Sequence, residues 1–460
     1  MKLWIKNNQI EIILFFLLWF TYGYFVHQNP GWNVTTRMDL VYALVDRGTL
    51  AIDAYYNQPA REYLTGDVAE FNGKHYSDKA PGLALLGVPV NAGFANVADL
   101  LGFRFSPTVA RWIVTWFTVG LLSALLGVFL YWFLAFFEEN RTTRLILVLA
   151  YALGTIAFPY STLFISHQAA ACFAFLGFYL IFYAIRNPQS AIRNLIFAGL
   201  LAGYSLITEY PVGIILIGLM VYLFSKLKKI RYLILFGLPI LGCLLIPAFI
   251  NHLQFGSPFA LGYQYEKLDE FRTGMSRGLF GITVPSLKIL YGITIHPFRG
   301  LFFWSPVLIL AIFGFYYLYQ EEKFRKEFWL FLYIIVAFFL FNMAYFAWWG
   351  GWATGPRHLI PMLPFLIIPM VYIFRQWRKI QLSLTVISIT LMFIATAADP
   401  QVPQTYLYPL WEFAIPRLVQ GHLTLNLGNI LFGLTGLSSL IPLIVILLIG
   451  TYLLFKTVKA

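Results

Sequence analysis

Gly82-Leu-Ala-Leu-Leu-Gly-Val-Pro-Val-Asn-Ala-Gly-Phe-Ala-Asn-Val-Ala-Asp-Leu-Leu-Gly-Phe103 has the length and apolar content of a membrane-crossing helix, yet carries Asn91, Asn96 and Asp99 among its glycines. Whether it crosses decides the face on which every later loop lies. A spanning helix needs about 20 mainly apolar residues. Twelve other stretches read as spans: 10–27, 111–137, 145–160, 168–185, 194–207, 210–225, 232–250, 300–319, 328–346, 358–374, 380–397 and 429–455. With a cytoplasmic N-terminus and a non-crossing 82–103, the loops holding Arg141/Arg144, Arg186/Arg193, Lys226/Lys228/Lys229/Arg231, Lys323/Arg325/Lys326 and Arg375/Arg378/Lys379 all fall inside, as do Lys456 and Lys459. Together with Lys2 and Lys6 this puts 18 of the 32 lysines and arginines in short cytoplasmic segments. A crossing 82–103 would turn each later loop outward, against the tendency of cytoplasmic loops to hold Lys and Arg. The segment is therefore read as interfacial or re-entrant.

The expected fold is an all-α polytopic membrane protein with about twelve transmembrane helices and interfacial helices in the first outer loop. It forms a single domain over 1–460, with outer loops at 28–110, 251–299, 347–357 and 398–428 and both termini cytoplasmic. Composition agrees: 60% of the 460 residues are hydrophobic and 11% charged, too few polar groups for a soluble chain of this size. The net charge of +12 is scattered between apolar spans, so it orients the chain in a membrane and does not point to nucleic acid. Cys172 and Cys243 lie in apolar runs and suggest neither a disulfide framework nor a cysteine metal site. Met1–Glu11 has Lys2 and Lys6 ahead of an apolar run and no small-residue cleavage site, so it reads as a retained anchor in a plasma (inner) membrane protein.

All seven histidines and most carboxylates fall on the outer side, and the cytoplasmic loops carry nothing resembling a site. Within the first outer loop, Asn33–Gly48 has the pattern of a short amphipathic helix that Thr36 is placed to cap and Gly48 to end. Met38, Val41, Tyr42 and Val45 share one face, suited to the bilayer surface. Asp39 and Asp46 share another, though Asp39 three residues after Thr36 also reads as a capping-box carboxylate. Next, His75-Tyr-Ser-Asp-Lys-Ala-Pro-Gly82 sets a carboxylate, a cation and a helix-starting proline beside an apolar segment. Lys79 there can reach the phosphate of a membrane lipid, or simply pair with Asp78.

Glu209 lies between two apolar runs with no loop to solvate it, so it faces a cavity or pairs with a cation. His167 sits at the outer end of a span, with no second histidine or carboxylate at ligand spacing, so a metal is not argued from sequence. Ala347-Trp-Trp-Gly-Gly-Trp-Ala-Thr-Gly-Pro-Arg-His358 is the most specific local signal. Interfacial anchoring does not explain three tryptophans packed among three glycines. Glycines allow close backbone approach, Trp349 and Trp352 offer faces suited to sugars or cations, and Arg357 can clamp a phosphate with parallel hydrogen bonds.

The motifs Arg37-Met-Asp39, Thr65-Gly-Asp67, Tyr76-Ser-Asp-Lys-Ala-Pro-Gly82, Phe255-Gly-Ser-Pro-Phe259, Arg299-Gly-Leu-Phe-Phe-Trp-Ser-Pro306 and Trp348-Trp-Gly-Gly-Trp-Ala-Thr-Gly-Pro-Arg357 resemble bacterial membrane glycosyltransferases of the GT-C fold, over nearly the whole chain. Better understood relatives are the protein O-mannosyltransferases and the aminoarabinose transferases that modify lipid A. The resemblance implies an inverting hexosyl- or pentosyltransferase in the cell envelope whose donor is a sugar on polyprenyl phosphate. It implies a carboxylate base in the first outer loop (Asp39 by position, Asp78 as the alternative) and donor-phosphate binding by Lys79 and Arg357. Arg37, Tyr76, His167, Glu209, Trp349, Trp352 and His358 complete the implied cleft. Those relatives often carry an Asp-Glu pair just before the arginine, where this chain has Val34-Thr-Thr36, so the choice of base stays open. The acceptor is a lipid, a glycan or a protein, and metal dependence is likewise open. A transporter, flippase or polymerase of lipid-linked glycans is the alternative, but neither inverted repeats nor a site reachable from both faces is visible.

Overall fold

The structure, a computed structural model, describes residues 8–58 and 64–459. Lys2 and Lys6, part of the orientation argument above, lie outside that range. The long helices are α1 (Gln9–Gly23), α2 (Gly31–Arg47), α3 (Gly82–Leu100), α4 (Pro107–Leu134), α5 (Arg141–Gly154), α6 (Ser166–Arg186), α7 (Ala191–Thr208), α8 (Gly213–Leu227), α9 (Ile230–Phe255), α10 (Pro306–Gln320), α11 (Arg325–Ala344), α12 (Arg357–Ile373), α13 (Arg378–Ala398) and α14 (Ile441–Lys459). One antiparallel hairpin, β1 (Val68–Phe71) and β2 (Lys74–Ser77), interrupts them between α2 and α3. Each of the twelve stretches read as spans corresponds to one of these helices.

By length and apolar content alone α3 belongs with the crossing helices. Its neighbours show that it does not cross. Helices α1 and α4 run antiparallel: Trp112 Nε1 donates to Gly23 O at 2.9 Å near one end and Trp132 Nε1 to Glu11 Oε1 at 3.0 Å near the other. The start of α4 therefore lies beside the end of α1. The end of α5 lies there too, through Tyr22 Oη to Ala152 O (3.1 Å). Helix α6 turns back from that end, and Ser205 Oγ donating to Ala170 O at 2.7 Å brings the end of α7 alongside its start. Gly82, the first residue of α3, packs on Ile207 and Thr208 at this same end and accepts from Tyr204 Oη at 2.9 Å. Residues 101–106 then join α3 to α4, and six residues reach at most ~21 Å, short of a ~30 Å hydrocarbon core. Both ends of α3 thus lie on one side; among the described residues eight other helices are long and apolar enough to cross, with shorter apolar helices beside them.

The opposite end of the bundle is basic and clasped by ion pairs. Glu327 is fully buried and meets Lys226 at 2.9 Å, Arg186 at 3.8 Å and the Tyr222 hydroxyl at 2.6 Å. Within the bundle, small residues set the close approaches. A Cβ on Gly199 would lie 2.1 Å from Phe236 O, and Gly203 abuts Cys243, so this Gly-x-x-x-Gly pair presses α7 onto α9.

Helix α2 departs from the sequence reading in two ways. It starts at Gly31 behind Pro30, so Thr36 sits inside the helix and caps nothing, while Gly48 ends it with φ +61° as expected. Its apolar face is not on the bilayer surface: Met38, Val41 and Tyr42 are buried in the main core, with Val41 against Gly87 of α3. Helix α3 covers that face and leaves its own Val97 and Leu100 exposed.

Candidate active site

The two-residue turn Asn72-Gly73 has positive φ at both positions (51° and 73°), the geometry that closes a tight hairpin with the right twist. It sets the register Val68↔Ser77, which carries Asp67 back beside the Asp78-Lys79 pair. Lys79 Nζ lies 3.1 Å from Asp67 Oδ2 and also donates to Asp78. The far edge of β1 bridges to Glu266 through Ala69, with Lys267 N donating to Val68 O at 2.9 Å. One lysine therefore stands among three carboxylates, two of them on the hairpin's own flanks.

The electrostatics of this cluster follow from burial. Burial first, and then the neighbouring Asp78, push the Glu266 carboxyl up to about 10, so it is protonated and neutral at ordinary pH. Burial raises Asp78 as well, with Lys79 opposing and Asp67 reinforcing the rise. For Lys79 burial favours the neutral amine, but Asp67 and Asp78 outweigh it and hold the ammonium well above its usual range. An ammonium has three donors, and Asp67 and Asp78 occupy two of them.

Lys79 and Asp67 line a cavity of ≈ 500 Å³ whose opposite wall is the Trp-Gly loop and the start of α12. That loop is held by Arg299, fully buried, which donates to Trp349 O and Gly351 O at 2.9 Å each. Gly350 and Gly351 both take positive φ, and a Cβ on Gly350 would press on the Arg357 side chain at 3.0 Å. Glycine is required here for the loop to fold over the arginine. Arg357 itself lines the cavity, its buried Nε has no hydrogen-bond partner, and among the described residues no carboxylate lies within ion-pair distance of it. His358 lines the cavity beside it.

Behind this wall runs a polar network. The His358 ring meets the His167 ring edge-on at 5.2 Å, and His167 Nδ1 is 3.4 Å from Glu209 Oε2. Ser166 Oγ donates to Glu209 and accepts from Arg37 at 3.0 Å, and Arg37 also donates to Ala80 O at 2.9 Å. Glu209 thus has its cation at one remove, through a serine hydroxyl.

Of the residues singled out from sequence, Lys79, Arg357, Trp349, Trp352 and His358 line the one cavity, with Asp78 buried directly behind Lys79. Arg37, His167 and Glu209 stand in the layer beneath. Asp39 is 1% exposed within α2 and does not line the cavity, and Asp46, expected on its face, is exposed and accepts from Tyr55 Oη at 2.6 Å. The face diverges because the last turn of α2 runs out of the core. Tyr76 is not a cleft residue: it points to the other side of the hairpin and packs with Phe255 and Ala260 in a satellite core. Sequence reasoning passed over Glu266 and gave no site role to Asp67 and Arg299, though both stand in the motifs quoted for the resemblance. The Asn-Gly turn is the signal that would have paired Asp67 with Lys79; the motif that begins at Arg299 does not tell which loop the arginine holds, and Glu266 has no local signature.

A bundle of apolar, membrane-spanning helices whose first long loop carries further helices, with a cavity closed by that loop and a later one, is the GT-C fold. Two solved structures share it, both of ArnT from Cupriavidus metallidurans, one apo and one bound to undecaprenyl phosphate. Each is 13% identical and aligns over 99% of this chain and 76% of its own, with TM-scores of 0.50 and 0.52 respectively. The archaeal oligosaccharyltransferase AglB from Archaeoglobus fulgidus, in complex with an inhibitory peptide and a dolichol-phosphate, aligns at 13% identity over 85% of this chain and 56% of its own, with a TM-score of 0.46. No protein-family model matches the chain, and no curated protein matches it in sequence.

Proposed function

We propose that the chain is an inverting glycosyltransferase that moves a sugar from polyprenyl phosphate to an envelope acceptor on the non-cytoplasmic face. The observation that carries this reading is an arginine with no carboxylate in ion-pair range among the described residues, lining one cavity together with a lysine. A guanidinium in that state is a ready site for an anion such as a phosphate. The ArnT structure with undecaprenyl phosphate supports a lipid-linked phosphate as that anion. The basic end of the bundle opposite the site fits a cytoplasmic placement of that end.

In this mechanism the acceptor hydroxyl oxygen attacks the anomeric carbon while the bond from that carbon to the phosphate oxygen breaks, its electron pair leaving with the phosphate. The path has oxocarbenium character, and negative charge grows on the departing phosphate. Lys79 and Arg357 stabilise that charge in a site shielded from bulk water. The proton of the acceptor passes to a carboxylate, and Asp67 is the one that both faces the cavity and touches Lys79. Asp78, buried behind Lys79, and Glu266, which lines the cavity beside it, hold the ammonium in place, while Asp39 supports the packing of α2.

The test is transfer by purified protein in lipid nanodiscs from a panel of polyprenyl-phosphate sugars, comparing wild type with Asp39→Asn, Asp67→Asn and Asp78→Asn. Activity lost in Asp67→Asn and retained in Asp39→Asn is the expected result. Undiminished transfer by Asp67→Asn would remove the base assignment, and wild-type turnover in a Lys79→Gln, Arg357→Gln double variant would remove the donor site.

A further inference from the structure

The outer part of the same cavity has a chemistry of its own. Its floor holds Lys79 and Arg357, but its mouth is formed by Trp32 and Trp352, 47% and 45% exposed, together with Gln404 and Glu270. The Trp32 ring is fixed before anything binds. Trp32 lies on the bare backbone of Gly66, where a Cβ would be 2.7 Å from the ring, and Thr65 Oγ1 donates to Trp32 O at 3.1 Å. Trp349 Nε1 donates to Gln404 Oε1 at 2.5 Å, which orients the carboxamide and leaves its NH2 group as a donor. Flat apolar faces beside planar amides match a pyranose, with its C–H faces and its equatorial rim of hydroxyls.

We propose that this mouth is the acceptor subsite and that the acceptor is a neutral glycan, an inference that rests on the donor reading above. Among the described residues lining the cavity the only lysine or arginine cations are the two on its floor, and the mouth carries the exposed carboxylate of Glu270. A phosphorylated lipid headgroup or an acidic sugar would meet that carboxylate with no cation among the described mouth residues to offset it. A peptide that binds by strand addition would need a free strand edge. Both edges of the hairpin are already taken, β1 by Glu266 and Lys267 and β2 by Ile52 N donating to His75 O at 2.8 Å.

The experiment titrates the full-length protein in nanodiscs with neutral hexose oligosaccharides, matched uronic-acid oligosaccharides, a Ser/Thr-rich peptide and lipid A, following tryptophan fluorescence. Undecaprenyl phosphate is titrated separately. Saturable binding is expected for a neutral oligosaccharide only, weakened about tenfold in Trp32→Ala and in Trp352→Ala and largely restored in Trp352→Phe, with undecaprenyl phosphate affinity unchanged in all three. Binding of the peptide, the acidic glycans or lipid A in preference to the neutral ones overturns the inference. So does neutral-glycan affinity that is absent, or indifferent to both tryptophans. Failure of undecaprenyl phosphate to bind wild type overturns the donor reading instead, and the two titrations are read independently.

Discussion

The lysine among three carboxylates gives the sharpest test of the site's charge balance, through two substitutions that remove one group each. Glu266, pushed up to about 10 by burial and then by Asp78, already carries its proton at neutral pH, so Glu266→Gln replaces a neutral acid with a neutral amide of the same shape. Its cost is expected within about 1 kcal/mol, the scale of one exchanged hydrogen bond. Lys79→Met leaves Asp67 and Asp78 without their cation in a buried setting, a loss of about 3–5 kcal/mol. The pH dependence follows from the same shift. The folded-state value of Glu266 lies above its unfolded value of 4.5, so its contribution is whole below that pH and is lost as pH climbs towards about 10. The slope is at most ~1.4 kcal/mol per pH unit, and Glu266→Gln should flatten it. The assay is thermal unfolding in one detergent from about pH 6 to 9, inside that window. The reasoning fails if Glu266→Gln is as destabilised as Lys79→Met, or keeps the wild-type slope.

Three further outcomes are expected. Arg299→Ala strips two buried loop carbonyls of a charged donor, costs about 3 kcal/mol or more, and weakens undecaprenyl phosphate binding because Arg357 loses its fixed lid; unchanged binding would mean the loop holds itself. Glu327→Ala breaks the buried clasp at the basic end at a cost of about 3–5 kcal/mol, yet leaves donor affinity alone, since that clasp lies at the opposite end of the bundle; calorimetry and a binding titration separate the two. Asp67→Asn should lower transfer by ~10²–10⁴-fold at saturating donor with little change in donor affinity, whereas equal losses of turnover and affinity would make Asp67 a binding group.

The membrane architecture was legible because it depends on two coarse quantities, apolar run length and the placement of Lys and Arg. Those alone kept 82–103 from crossing, a conclusion its length would have reversed, and the packing of Gly82 and of the α1–α4 pair agrees. The Trp-Gly loop was legible for a different reason: so many glycines beside tryptophans have no use in a plain turn, and Gly350 in fact lies over Arg357. What sequence concealed was pairing at a distance. An amphipathic face on α2 shows that something apolar covers it, but not whether that is lipid or, as it proves, α3. Asp39 drew attention through its neighbours in a motif, while Asp67, the carboxylate that both lines the cavity and pairs with Lys79, arrives there through a hairpin whose register is set by Asn72 and Gly73. Glu266 comes from nearly 200 residues away in the chain, joined through a single bridge to Ala69.

The account turns on Lys79 and Arg357 binding one phosphate between them. The direct measurement is the dissociation constant of undecaprenyl phosphate for wild type, Arg357→Gln, Lys79→Gln and the double variant, in nanodiscs at one ionic strength. Each single change should weaken binding roughly 10- to 100-fold, the loss of about 1.5–3 kcal/mol from a charged hydrogen bond. The two should couple, so that the double variant falls short of the product of the singles. Wild-type affinity in either single variant, or strictly independent losses, would contradict a shared phosphate site.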